Sequence, residues 1–150
     1  QNLPHRLQEV AAFEGIHFIN DSKATNSDAT AKALACYEAN IFWILGGRAK
    51  DNGLEGLEQY FSRIQKAFLI GEAESRFAEF LEGRVPYLRC HDLSTAVQEA
   101  YSSAVSCQQR PLYILLSPAC ASWDQFKDFE HRGEVFKDLV AGLSRKLDAS

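Results

Sequence analysis

Basic charge is scarce in this chain: 16 Lys+Arg stand against 20 Asp+Glu, a net charge of -4 over 150 residues. That balance offers no field for a phosphate backbone and no polybasic patch for an anionic bilayer, so neither nucleic acid nor a membrane is an expected partner. No apolar run approaches the roughly 20 residues of a membrane span. The opening Gln1-Asn2-Leu3-Pro4-His5-Arg6 does not read as a signal peptide, and a soluble, cytoplasmic chain is expected. Cys36, Cys90, Cys107 and Cys120 include no C-x-x-C pair, which removes zinc-ribbon and dithiol redox chemistry and leaves reduced, mostly buried thiols. His5, His17, His91 and His131 lack metal-ligand spacing, so none is assigned to a metal. Also missing are G-x-x-x-x-G-K-S/T, G-x-G-x-x-G and G-x-S-x-G, hence a phosphate-binding P-loop, a dinucleotide fingerprint and a hydrolase elbow.

What is present is a regular alternation of apolar runs and amphipathic stretches, in a length that suits one domain able to bury a core without staples. Val10 to Phe13 and Ile16 to Asn20 flank Glu14-Gly15 and predict a β-hairpin. Asn26-Ser27-Asp28 predicts the cap and first turn of a helix over 27–37, with Ala29, Ala33, Leu34 and Tyr37 on one face. Ile41-Phe42-Trp43-Ile44-Leu45, closed by Gly46-Gly47, suits a central parallel strand buried on both faces. The same rhythm predicts a helix over 54–64, a strand over 67–70, a helix over 73–81, a strand over 86–90, a helix over 93–105 and a strand over 112–116. Ser122-x-x-Gln125 resembles a capping box opening a last helix with a break near Gly133. Together these predict a Rossmann-like α/β/α sandwich whose six-stranded sheet is mostly parallel, with an antiparallel hairpin at the N-terminal edge.

In such sheets ligands bind beyond the carboxyl ends of the strands. Three of those exits are unusually polar: Asp21-Ser22-Lys23-Ala24-Thr25, Gly46-Gly47-Arg48-Ala49-Lys50-Asp51 and Ser117-Pro118-Ala119-Cys120-Ala121-Ser122. Two lysines, an arginine, several hydroxyls and a helix N-terminus suit a small dianion such as a dicarboxylate. Each part has an ordinary structural use as well: Gly46-Gly47 as a strand-ending turn, Lys50 as a solvated charge, Ser122 as a helix cap.

These residues also carry a resemblance. Leu3-Pro4-His5-Arg6, Asn20-Asp21-Ser22-Lys23-Ala24-Thr25-Asn26, Leu45-Gly46-Gly47 with Lys50, and Ser117-Pro118-Ala119-Cys120-Ala121-Ser122 with Phe126-Lys127-x-Phe129-Glu130-x-Arg132-Gly133 resemble the C-terminal domain of the Mur ligases. The likeness covers essentially the whole chain and points to the branch that adds D-glutamate to UDP-N-acetylmuramoyl-L-alanine. Related ligases of the same fold carry histidine- or asparagine-proline motifs where this chain has Ser22-Lys23-Ala24-Thr25. The resemblance implies a cytoplasmic, monomeric ligase of peptidoglycan precursor synthesis that uses ATP and Mg2+ to activate its carboxylate substrate as an acyl phosphate. By position it implies that Lys23, Thr25, Lys50, Ser122 and the backbone of Phe129 serve D-glutamate, with Arg6 turned to ATP phosphate and Asp21 to its ribose. Asp128 and Arg48-Ala49 depart from the family pattern. The family's P-loop, magnesium ligands and uridine-binding domain precede this segment, so residues 1–150 are expected to be a fragment without catalytic residues, inactive alone. A free-standing amino-acid-binding module and a purely structural domain are the alternatives.

Overall fold

The computed structural model describes residues 3–149; Gln1 and Asn2 of the opening stretch lie outside the described residues. In chain order the elements are β1 (Gln8–Phe13), β2 (Ile16–Asn20), α1 (Ser27–Leu34), β3 (Ile41–Gly46), β4 (Arg48–Ala49) and a 3₁₀ turn at Glu58–Arg63. Then follow β5 (Ile64–Ile70), α2 (Glu74–Leu81), β6 (Tyr87–His91), α3 (Leu93–Ser106), β7 (Leu112–Leu116), β8 (Cys120–Ala121) and α4 (Phe129–Ala149).

Glu14 and Gly15 both take positive φ, 57° and 73°, the geometry of a two-residue hairpin turn whose twist matches its strands. β2 then joins a six-stranded sheet in the order β1-β2-β7-β3-β5-β6, antiparallel only between β1 and β2. Period-two alternation sorts the strand side chains to two cores. Ile19, Trp43, Leu69 and Leu115 pack under α1, α2 and the 3₁₀ turn, while Phe18, Ile44, Phe68 and Ile114 pack under α3 and α4 with Phe136 and Val140. Each fully buried large apolar side chain contributes about 1.5–3 kcal/mol, so the expected three-layer sandwich has its driving force on both faces.

Three helical stretches differ from expectation, each for a local reason, while strand ends shift by a few residues. The helix expected to reach Tyr37 stops at Leu34, where Arg63 Nη1 donates to the carbonyls of Leu34, Ala35 and Tyr37 and takes over the closing of its end. No α-helix forms over 54–64: Gly53 and Gly56 take positive φ, 54° and 91°, and turns seat Leu54 and Leu57 in the core before Ile64 opens β5. The last helix starts at Phe129, not Ser122, and runs through Gly133 without a break. A Cβ at Gly133 would collide with the His5 ring, so this glycine serves close packing.

β2 and β3 are consecutive parallel strands, yet β7 lies between them. That reversal of strand order opens a crevice beyond the carboxyl ends of β2, β7 and β3, the three exits singled out by their polarity.

Candidate functional site

The exit of β2 is built from buried polar groups. Asn20 Oδ1 accepts the Ser22 N–H at 3.1 Å, which turns its amide nitrogen toward His5 Nδ1 at 2.9 Å and Gln8 Oε1 at 3.2 Å. His5 Nδ1 must therefore accept, leaving the ring proton on Nε2, which faces Glu134 at 3.4 Å. Asp21 is 4% exposed; its Oδ1 accepts the Leu7 N–H at 3.1 Å and its Oδ2 the Ser117 hydroxyl at 2.7 Å. Burial pushes its pKa up to about 6, against the opposing pull of Ser117, Leu7, Arg6 and Arg132.

Arg132 ties this exit to the rest of the crevice. The side chain is fully buried on α4, with Nε donating to Ser22 Oγ at 2.8 Å, Nη2 to the Ser22 carbonyl at 2.6 Å and Nη1 to the Cys120 carbonyl at 3.0 Å. Ser22 Oγ in turn donates a hydrogen bond to the Phe129 carbonyl at 2.7 Å. Burial lowers the arginine's pKa to about 10, so it stays charged at neutral pH. Lys23, the next residue, reaches out and places Nζ over the Phe129 ring, 4.7 Å from its centre.

The third wall is a short ribbon. β4 and β8 pair antiparallel, Arg48 with Ala121 and Ala49 with Cys120, which joins the exits of β3 and β7. A Cβ on Gly47 would lie 2.5 Å from the Ala121 carbonyl, so the ribbon requires glycine there. Lys50 leaves its end exposed and donates from Nζ to the Thr25 carbonyl at 2.9 Å, with two ammonium protons left over. Arg76 holds the Lys50 carbonyl from behind at 3.0 Å.

Lys23, Thr25, Lys50 and Phe129 are thus brought together by direct contacts among the β2 exit, the ribbon and the first turn of α4. Ser122 is placed differently from expectation. It is 2% exposed, and its carbonyl accepts the N–H groups of Gln125 at 3.1 Å and Phe126 at 2.9 Å in a tight turn. Gln125 sends its side-chain amide to the His91 carbonyl at 2.8 Å, so no capping box forms. The cap of α4 is Asp128, whose Oδ1 accepts the His131 N–H at 2.7 Å; an acid there does the capping work of an asparagine. Lys50 and Ser122 accordingly sit toward opposite ends of one ribbon. Trp123, beside Ser122, stands 66% exposed. Arg6 and Asp21 line an adjoining cavity of about 380 Å³ together with Lys23, Asn26, Asp28 and Lys32.

Arg132, Ser117 and the His5–Asn20 pair carry no individual role in a reading of the sequence. Arg132 had a signal: it falls four residues before Phe136 and eight before Val140, on the apolar stripe of α4.

A family model described as "Mur ligase, glutamate ligase domain" matches residues 5–120. The chain belongs to the Mur ligase family. Among relatives, the UDP-N-acetylmuramoylalanine--D-glutamate ligase of Paramagnetospirillum magneticum is 55% identical over 143 residues, 95% of this chain and 31% of that ligase. The ligase of the same name from Rhodospirillum rubrum is 50% identical over 148 residues, 99% of this chain and 31% of its own length. This Mur ligase domain therefore spans about a third of the curated relatives it matches. The MurF ligase of Thermotoga maritima, solved in complex with ADP, shares the fold at a TM-score of 0.50 and 14% identity, over 95% of this chain and 32% of that one.

Proposed function

We propose that this domain holds D-glutamate for a cytoplasmic, ATP-dependent ligase that joins it to UDP-N-acetylmuramoyl-L-alanine in peptidoglycan precursor synthesis. The observation that carries the reading is the convergence of Lys50, Lys23, Thr25 and the first turn of α4 on one crevice, in a chain 55% identical to a ligase named for that reaction. Lys50 and Lys23 supply point charges for two carboxylates, and the N–H groups that open α4 at Phe129 favour an anion. The Thr25 hydroxyl and the Ser122 side chain, the latter buried at the far end of the ribbon, complete the set. Holding the amino acid in one pose turns an encounter of two solutes into an oriented attack by its amine.

ATP fits the neighbouring cavity in charge. On this reading Arg6 serves phosphate and Asp21 ribose, each Asp21 oxygen accepting a single bond from the protein and so retaining a lone pair for a hydroxyl. When bound, ATP with Mg2+ supplies the phosphoryl group that activates the partner carboxylate. Among the described residues no group of three or more His, Cys, Asp or Glu side chains could hold a metal ion.

The test is amide formation by the full-length enzyme with D-glutamate, L-glutamate, D-aspartate and neutral amino acids as acceptors. Turnover strongly favouring D-glutamate is expected; equal use of several acceptors, or none of D-glutamate, would remove the assignment.

A further inference from the structure

Burying a charge carries a desolvation penalty of several kcal/mol, and an apolar side chain of similar size is often as stabilising or more so. Arg132 is such a charge, and its three hydrogen bonds all go to neutral oxygens, those of the Ser22 hydroxyl, the Ser22 carbonyl and the Cys120 carbonyl. Asp21 and Asp124 act on it only through space. Fold stability alone is a poor account of an arginine here.

Its bonds do something an apolar residue could not. They join segments separated by 110 and 12 positions in sequence, and the Ser22 hydroxyl extends the chain to Phe129. Lys23 follows Ser22 directly and lies over the Phe129 ring, so both partners of that contact are set from the same guanidinium. Cys120 belongs to β8, which pairs with β4, and Lys50 follows β4. Lys23 and the Phe129 carbonyl are therefore two links from Arg132, and Lys50 is three, through Cys120 and Ala49.

We propose that Arg132 is the positioning residue of the amino-acid site. It fixes the spacing of the β2 exit, the ribbon and the first turn of α4, and it places behind them a positive charge that no carboxylate contacts directly, Asp21 and Asp124 acting on it only through space. This rests on the D-glutamate reading above and adds a residue that touches no ligand.

Two substitutions in the full-length ligase separate this role from a merely structural one. Arg132→Lys keeps the charge but loses the planar fork, while Ser22→Ala keeps the guanidinium and cuts the relay to Phe129. Each should raise the D-glutamate KM about tenfold or more, the loss of one charge-assisted bond. The KM for UDP-N-acetylmuramoyl-L-alanine, to which no group here is assigned, should stay within about twofold, and the KM for ATP should rise less than that for D-glutamate, since of the site groups tied to Arg132 Lys23 alone also lines the Arg6–Asp21 cavity. If Arg132→Lys does not fold, Ser22→Ala decides alone. Folded variants with an unchanged D-glutamate KM, or with all three KM values rising together, would overturn the proposal. A parent enzyme without saturable D-glutamate turnover would sink the functional reading as well; a normal parent with unaffected variants sinks this inference alone.

Discussion

The carboxyl edge of the sheet has two halves, and each buries a charge. At the exits of β5 and β6 it is Glu74, 4% exposed, whose Oε2 accepts the His91 N–H at 2.6 Å while Oε1 meets Arg89 Nε at 3.1 Å and His91 Nδ1 at 3.0 Å. At the exits of β2 and β7 it is Arg132, held only by neutral oxygens. The first charge is answered within the protein and leaves nothing for a ligand to complete. The second is held by one hydroxyl and two carbonyls and lacks an opposite charge in contact. Burial marks both equally; what separates a structural charge from a functional one is whether its partners are already present.

Glu74→Ala should produce the largest change, a loss of about 3 kcal/mol in urea unfolding of the chain, because one charged hub closes three contacts. The D-glutamate KM of the full-length variant should not move; a shift of tenfold would erase the contrast between the halves. Lys50→Ala should do the reverse, costing roughly 1.5 to 3 kcal/mol of D-glutamate binding, about one to two powers of ten in KM. Its melting temperature should hold, since the side chain is exposed.

Asp21 offers a test through pH. Its folded pKa of about 6 lies above the ordinary 3.8, so the native chain takes up its proton before the unfolded chain does. The burial cost is full above pH 6 and is relieved as pH falls toward 3.8. Relative to Asp21→Asn, the parent should gain about 2 kcal/mol of unfolding free energy between roughly pH 7 and pH 4.5. A flat difference across that window would show that the carboxylate is not held charged in a buried setting at neutral pH. The smallest effect belongs to Arg48, which faces Glu72 at 3.4 Å with both side chains about half exposed. Arg48→Ala should change unfolding free energy by less than about 0.5 kcal/mol, and a larger loss would make that exposed pair part of the framework.

Much of the architecture was legible because it follows from local pattern. Continuous apolar runs such as Ile41 to Leu45 and Leu112 to Leu116 announce strands covered on both faces, and the exit rule then points to three loops that the fold brings side by side. The misread stretches have a common cause. Leu54, Leu57 and Ile64 are spaced as on a helix and are buried as on a helix, but turns and a strand achieve the same burial. Ser122 and Gln125 have the residue types of a capping box, yet Gln125 finds a partner at His91, 34 positions away. The buried network was out of reach for the same reason, since Ser22 and Phe129 stand 107 positions apart. The four residues of the β4–β8 ribbon are too few to leave a periodic trace.

The chain's two tryptophans lie at opposite extremes of exposure. Trp43 is fully buried with its Nε1–H bonded to the Ser117 carbonyl at 2.8 Å, whereas Trp123 stands in water beside Ser122. In spectroscopic terms the domain carries an interior lamp and an exterior one. A dissolved collisional quencher should extinguish the red-edge emission of Trp123 and spare the blue-edge emission of Trp43 until the sheet melts. Shielding of the outer signal by D-glutamate, with the inner signal constant, would then report occupancy of the crevice without any label.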